Sequence, residues 1–199
     1  EIDYVNKVTS DLSFDRYSFK ISDELKLNAL KIYTDEGYHA YFSQKVACQI
    51  KEFYEISENI LDVVNAHLNK LEKILNKFGK EYIPLARLGL VIVGENMIVS
   101  DISDEMKQIQ YEPIRIMFKN HMKDESFHAK YFAKLLLNIW PQLNSSDKEV
   151  LALSMIDGME VLGSPRLEIH HYSLSQLGFN KETILDCLSD GYKNEEKQV

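Results

Sequence analysis

Two short segments of the chain are near-copies of one another: Asp35-Glu36-Gly37-Tyr38-His39-Ala40 and Asp124-Glu125-Ser126-Phe127-His128-Ala129. Each leads into a Tyr-Phe pair, Tyr41-Phe42 and Tyr131-Phe132. Within each copy Glu and His stand three residues apart, which on an α-helix turns their side chains roughly 60° from one another. Both can therefore reach one metal ion from a single helix face. A single Glu-x-x-His is a weak signal, since both residues are common on solvated faces. Two matched copies constrain the fold far more, because both helices must turn these faces to a shared interior.

The rest of the chain fits a helical fold. Only 8 Gly and 4 Pro in 199 residues leave few turns for a many-stranded sheet, and apolar residues recur at helical spacing without sustained alternation. The segment from Glu1 to about Asp11 reads as the end of a helix, followed by a loop through Lys20. Ser22 then caps a helix with Asp23 and Glu24 in its first turn, carrying Leu25, Leu30 and Tyr33 past His39. Further helices are expected over 57–78, broken by Gly79; over 84–103, with Pro84 in the first turn; and from Pro113 to just before Pro141. Ser146-Asp147-Lys148-Glu149 is a capping-box sequence, Asn180 can cap a short helix through Leu188, and the polar tail from Lys193 to Val199 is expected to fray.

The expectation is one all-α domain over 1–199, with ligand-bearing helices in about 1–143 and accessory C-terminal helices in 146–190. Because it opens at Glu1 without a Met, the chain reads as part of a longer protein lacking its upstream residues.

Charge and cysteine usage exclude several functions. A net charge of -8, from 23 basic and 31 acidic residues with no basic stripe, argues against nucleic acid. Cys48 and Cys187 show neither disulfide-scaffold nor zinc-ribbon spacing, which fits a reducing cytoplasm. The apolar run Leu88 to Val93 is far shorter than the roughly 20 residues of a membrane span, so no membrane segment is expected.

Further ligands can be sought by position. Glu95 sits in the apolar stretch Leu90 to Val99, where an unpaired charge is costly. It lies about as far before the end of its helix as Glu125 lies after the start of the next, so antiparallel packing brings the two to one height. Glu1 and Glu36 satisfy the same test. His121 stands four residues before Glu125 and seven before His128, giving His-x-x-x-Glu-x-x-His on one stripe. Four carboxylates would neutralise two divalent cations, and mixed carboxylate and imidazole donors suit iron, or manganese, better than calcium or zinc.

Asp35 and Asp124 are placed to accept a hydrogen bond from the other copy's histidine. Gly37 and Gly94 each cost about 1 kcal/mol in a helix, which close helix packing would offset. Tyr38, Phe42, Phe118, Phe127, Tyr131 and Phe132 read as core, or as shields around the metals. His67, His170 and His171 lack partner spacing and read as structural or exposed.

Paired Glu-x-x-His motifs with a glutamate from each of two further helices are similar to the site of ferritin-like carboxylate bundles. With His121 added, the sequence from Glu1 to about Leu143 resembles the AurF-type diiron N-oxygenases, the family named for p-aminobenzoate N-oxygenase. The resemblance implies a ferritin-like four-helix bundle with a dinuclear iron site. Glu1 and His39 would serve one iron and Glu95, His121 and His128 the other, with Glu36 and Glu125 bridging.

The resemblance also implies an enzyme that activates O2 and oxidises the nitrogen of a small, aromatic amine, either free or tethered to a carrier. Glu36, Glu125 and His121 would be its catalytic residues. An electron donor such as a ferredoxin and its reductase, a homodimer and a cytoplasmic setting belong to the same expectation. Carbon hydroxylation or desaturation is the nearest alternative. A ferritin-type iron-binding protein and a metal-free helical interaction domain are the others, and metal analysis separates them.

Overall fold

Ser22 opens the longest helix of the chain by accepting a hydrogen bond from the Leu25 amide, satisfying one of the N–H groups that a helix start leaves bare. The computed structural model that contains it describes residues 2–55, 61–164 and 167–193, and every regular element among them is helical. A π-helical turn, Ile2–Asn6, runs into α1 (Lys7–Ser13); α2 (Asp23–Phe53), α3 (Leu61–Leu75), α4 (Ile83–Gln108) and α5 (Glu112–Ile139) follow. A 3-10 turn at Trp140–Gln142 leads to α6 (Ser145–Leu162), α7 (Leu167–Gln176) and α8 (Lys181–Lys193).

On α2 the buried residues are Leu25, Ala29, Ile32, Glu36 and His39, spaced by alternating fours and threes along one line. Leu30 and Tyr33, also apolar residues of this helix, are exposed. Each lies one residue beyond a buried position and is therefore turned about 100° away from it. The sequence-level boundaries otherwise shift only modestly. α4 continues past Ser103 to Gln108, and α8 continues past Leu188.

α6 starts earlier than its capping-box sequence suggests. Asn144, not Ser146, is its cap, and the Asn144 side chain accepts from the Asp147 amide at 2.9 Å. Asn180 takes the Thr183 amide at 2.9 Å, as its position implied. α7 had no clear signal in the sequence. The start of the third helix at 57–60 and the tail 194–199 lie outside the described residues.

Four elements close a ring: α1 packs on α2 and α4, and α5 packs on the same two. This is the four-helix core. α6 covers the outer face of α4, and α3 lies against α4, α6 and α7. Covered from several sides, α4 buries Leu85, Ala86, Leu88 and then Leu90 through Val93 with little alternation. The whole helix, unlike the short run Leu88 to Val93, is long and apolar enough to pass for a membrane span by composition, with a mean hydropathy of 1.5 over 18 residues. Half of that window is buried inside the fold, and it contains Glu95, a profile that a bundle's central helix shares.

Glycine sets how closely α4 and α6 approach. A Cβ at Gly89 would meet Ser154 Oγ at 2.1 Å and the Leu151 carbonyl oxygen at 3.0 Å, and one at Gly158 would meet Leu90 Cδ2 at 3.0 Å. The contact at Gly89 leaves no room for a side chain, because backbone as well as a side chain stands in the way. Cys48 and Cys187 are free and exposed.

Candidate metal centre

The buried stripe of α2 ends in two polar residues, Glu36 and His39, and the matching stripe of α5 carries Glu125 and His128. The Tyr131 hydroxyl donates to the Leu25 carbonyl at 3.1 Å and ties these two helices together below the polar layer. α4 adds Glu95, which is 3% exposed. Glu36, His39, Glu125 and His128 are equally inaccessible, whereas His121 is partly open to solvent.

Their donor atoms converge. His128 Nδ1 stands 3.0 Å from Glu36 Oε1, 3.2 Å from Glu95 Oε2 and 3.3 Å from Glu125 Oε2. His39 Nδ1 lies 3.1 Å from Glu125 Oε1 and 3.5 Å from Glu36 Oε1, and His121 Nε2 lies 2.8 Å from Glu125 Oε1. Two groups result, each compact enough for one ion: Glu36, Glu95, Glu125 and His128, and beside it His39, His121 and Glu125. Glu125 belongs to both. The family resemblance assigns His121 to the same iron as His128, but in this structure His121 sits on the His39 side, with the two rings 3.9 Å apart. Seven residues of helix separate the backbones of His121 and His128 by about 10 Å, so the side chain of His121 reaches the centre from another height.

Close as these atoms are, they do not hydrogen-bond one another. Both oxygens of Glu36 and of Glu125, Glu95 Oε2, His39 Nδ1, His121 Nε2 and His128 Nδ1 are buried without a hydrogen-bond partner. Orphaned buried polar atoms are costly, and a cluster of them aimed at one interior point fits a bound cation.

The other nitrogens of two of the rings explain their orientation. His39 Nε2 donates to Asp124 Oδ2 at 3.4 Å and His128 Nε2 donates to Asp35 Oδ2 at 3.3 Å, each histidine reaching the aspartate of the opposite copy. With Nε2 engaged by the aspartate, Nδ1 is the nitrogen turned to the centre, where it could bind an ion once its own proton is lost. Lys31 backs Asp35 with an ion pair, and its Nζ lies 4.7 Å from the Phe127 ring centre. Sequence reading missed Lys31, although its spacing of four from Asp35 on one helix was the available signal.

The cluster's charges explain how it titrates without metal. Burial disfavours the imidazolium of His39, but the carboxylates of Glu125 and Glu36 outweigh it and push the pKa up to about 10. His128 is likewise opposed by burial and carried to about 12 by Glu125, Glu36 and Glu95. Burial also opposes ionisation of Glu36 and Glu125, yet the facing histidines bring both below the ordinary carboxylate range. Glu95 goes the other way, to about 8, because burial and the neighbouring carboxylates prevail over His128. The metal-free cluster therefore holds protons near neutrality that ligation must expel. Binding of manganese(II) near pH 7 is expected to release about two to three protons per chain, and affinity is expected to rise with pH. Calorimetry in buffers of different ionisation enthalpy reads the number directly; release of none would count against ligation by these histidines.

The other expected site residues divide clearly. Glu1 and the side chain of His67 lie outside the described residues, and His170 and His171 sit on α7, apart from the cluster. Phe42 packs edge-on against both His39 and His121, each 5.6 Å away, and so shields the centre. Tyr131 and Phe132 are core, Phe118 and Phe127 are half-buried, and Tyr38 is exposed. Close packing does not account for Gly37 or Gly94. A Cβ at Gly37 would meet nothing, and one at Gly94 would make only an ordinary contact with Leu162 Cδ1 at 3.7 Å. Gly94 instead lines a cavity of about 330 Å³ that is bounded on one side by Glu95.

The chain matches the family model described as P-aminobenzoate N-oxygenase AurF over residues 6–198. That range continues through α6, α7 and α8, beyond the segment ending near Leu143 on which the sequence resemblance rested. No curated protein matches the chain.

Proposed function

The chain belongs to the AurF family of p-aminobenzoate N-oxygenases, and on that basis we propose that it is a diiron enzyme that oxidises the nitrogen of an arylamine. The observation that carries the reading is the set of buried donor atoms from three helices, unpartnered among themselves and aimed at one centre. Glu36 and Glu125 would bridge two ions, Glu95 and His128 would hold one, and His39 and His121 would face the other, with Glu1 as its remaining carboxylate. Iron suits this mixture of oxygen and nitrogen donors, and manganese is the alternative.

When bound, such a pair of ions supplies the redox chemistry that reduces O2 and delivers one of its oxygen atoms. The chain's own residues position and insulate. Asp124 and Asp35 orient His39 and His128 so that Nδ1 faces the centre, and Phe42 covers one side of the His39 and His121 rings. Glu125, shared by the two donor groups, Glu36, whose Oε1 lies near both His128 and His39, and His121, 2.8 Å from Glu125, are the residues we assign to the chemistry. An electron donor of the ferredoxin type would supply the reducing equivalents, in a cytoplasmic setting. We take 1–199 as one domain.

Anaerobic loading with ferrous iron followed by oxygen and an arylamine tests the assignment. Two irons per chain and a product heavier by oxygen at nitrogen are expected by mass spectrometry. Oxidation at carbon with the same iron content would move the assignment to a hydroxylase.

A further inference from the structure

We propose that the cavity beside Glu95 is the substrate cavity and that it selects neutral arylamines against those bearing a carboxylate. The proposal rests on the oxygenase reading and deepens it.

Three observations carry it. The first is position. The cavity lies between the π-helical turn, which contributes Tyr4 and Val5, and the face of α4 that contains Leu90, Gly94 and Glu95. Glu95 is buried and belongs to the metal-ready cluster, so a molecule seated here abuts the centre. At about 330 Å³ the cavity is at the low end of the roughly 300–1,000 Å³ that small-molecule sites span, which suits one aromatic ring and its substituents. Leu71, Met97, Ile98 and Leu162 give it apolar walls, and the thioether of a methionine is a favourable neighbour for an aromatic ring.

The second observation is charge. The ionisable groups among the described lining residues are Tyr4, Glu95 and Asp101; Lys, Arg and His are absent from them. The Tyr4 hydroxyl is engaged with Glu72 Oε1 at 2.9 Å. With the amine turned toward the centre beside Glu95, a carboxylate opposite it would lie toward exposed Asp101, and none of the described lining residues is a cation that could pair it, an arrangement that disfavours the ionised form. A neutral ring with an amino group meets no such penalty.

The third observation is Gly94. Helix interiors disfavour glycine relative to alanine by about 1 kcal/mol, and no neighbour at Gly94 demands it sterically. Its missing side chain is cavity space one residue from Glu95. Gly94 is thus a determinant of how large a substrate the cavity accepts.

Two ligands that differ only in charge provide the test: p-toluidine, with a methyl group opposite the amine, and p-aminobenzoate, with a carboxylate in its place. Binding is measured by anaerobic calorimetry on the iron-loaded protein, and iron is counted separately by elemental analysis. p-Toluidine is expected to bind at least about tenfold more tightly, and Asp101→Lys is expected to narrow that gap about threefold or more. Gly94→Leu and Ile98→Trp, which fill the cavity from different positions, are each expected to weaken p-toluidine about tenfold while helical circular dichroism is retained. Equal or tighter binding of p-aminobenzoate overturns the proposal, as does undiminished p-toluidine binding in both filling variants. Absence of iron from a protein that still prefers p-toluidine would overturn the oxygenase reading and leave the cavity's selectivity standing. Iron present without the preference would do the reverse.

Discussion

Replacing Glu125 by alanine is expected to strip the centre of both metal ions, weakening their retention by more than about 100-fold. Altering a residue that merely orients a ligand already costs roughly 10–100-fold in metal affinity, and Glu125 is placed as a ligand in its own right. One of its oxygens lies 3.1 Å from His39 Nδ1 and 2.8 Å from His121 Nε2, and the other lies 3.3 Å from His128 Nδ1. No other residue of the cluster occurs in both donor groups. Asp124→Asn, which perturbs only the support of His39, should fall within the smaller range. Elemental analysis after loading and desalting measures the effect, with Glu112→Ala on the exposed start of α5 as the control. Two ions retained by the Glu125 variant would remove the centre as described here.

Metal should also be the largest single contribution to stability. Three buried carboxylates and three imidazoles are held together in the described core, and in the metal-free chain only protons compensate the acids. An ion that binds the folded chain alone, present at a thousand times its dissociation constant, stabilises it by about 4 kcal/mol. For a chain of this size each kcal/mol raises the melting temperature by roughly 2–4 °C, so each ion should add about 8–16 °C. Thermal denaturation with manganese(II), and again with excess chelator, measures the difference. A helical interaction domain without metal would melt at the same temperature in both.

What the sequence revealed was whatever depends on local spacing. Three residues between Glu and His fix a common helix face wherever the helix packs, so the pairs Glu36–His39 and Glu125–His128 were legible without the fold. Ser22 and Asn180 announced their helices because a cap acts on its own next turn. Glu95 could be found from a charge in an apolar run, with a height set by the rise of a helix. Which of Leu25, Leu30 and Tyr33 would be buried was not legible, because apolar character does not state on which side of a helix the neighbours lie. Ser146 was read as the start of α6 from its spacing to Glu149, whereas the backbone turns helical just after Asn144, and that turning point is not a property of the spacing. The neighbour of His121 depends on how α2 and α5 face one another, and the purpose of Gly94 depends on a space enclosed by three elements; neither is a property of spacing.

The contact at Gly89 reaches further than the two helices it joins. Seated against Ser154 and Leu151, the α4 backbone is clamped from outside the ring, less than two turns before Glu95. The height at which Glu95 enters the centre is thus set by α6, a segment that provides no donor of its own. A chain truncated after Pro141 would keep every carboxylate and imidazole of the described cluster and still lose the buttress that keeps one of them in register. The C-terminal third of the sequence in this sense helps to place a buried carboxylate that it does not itself contain.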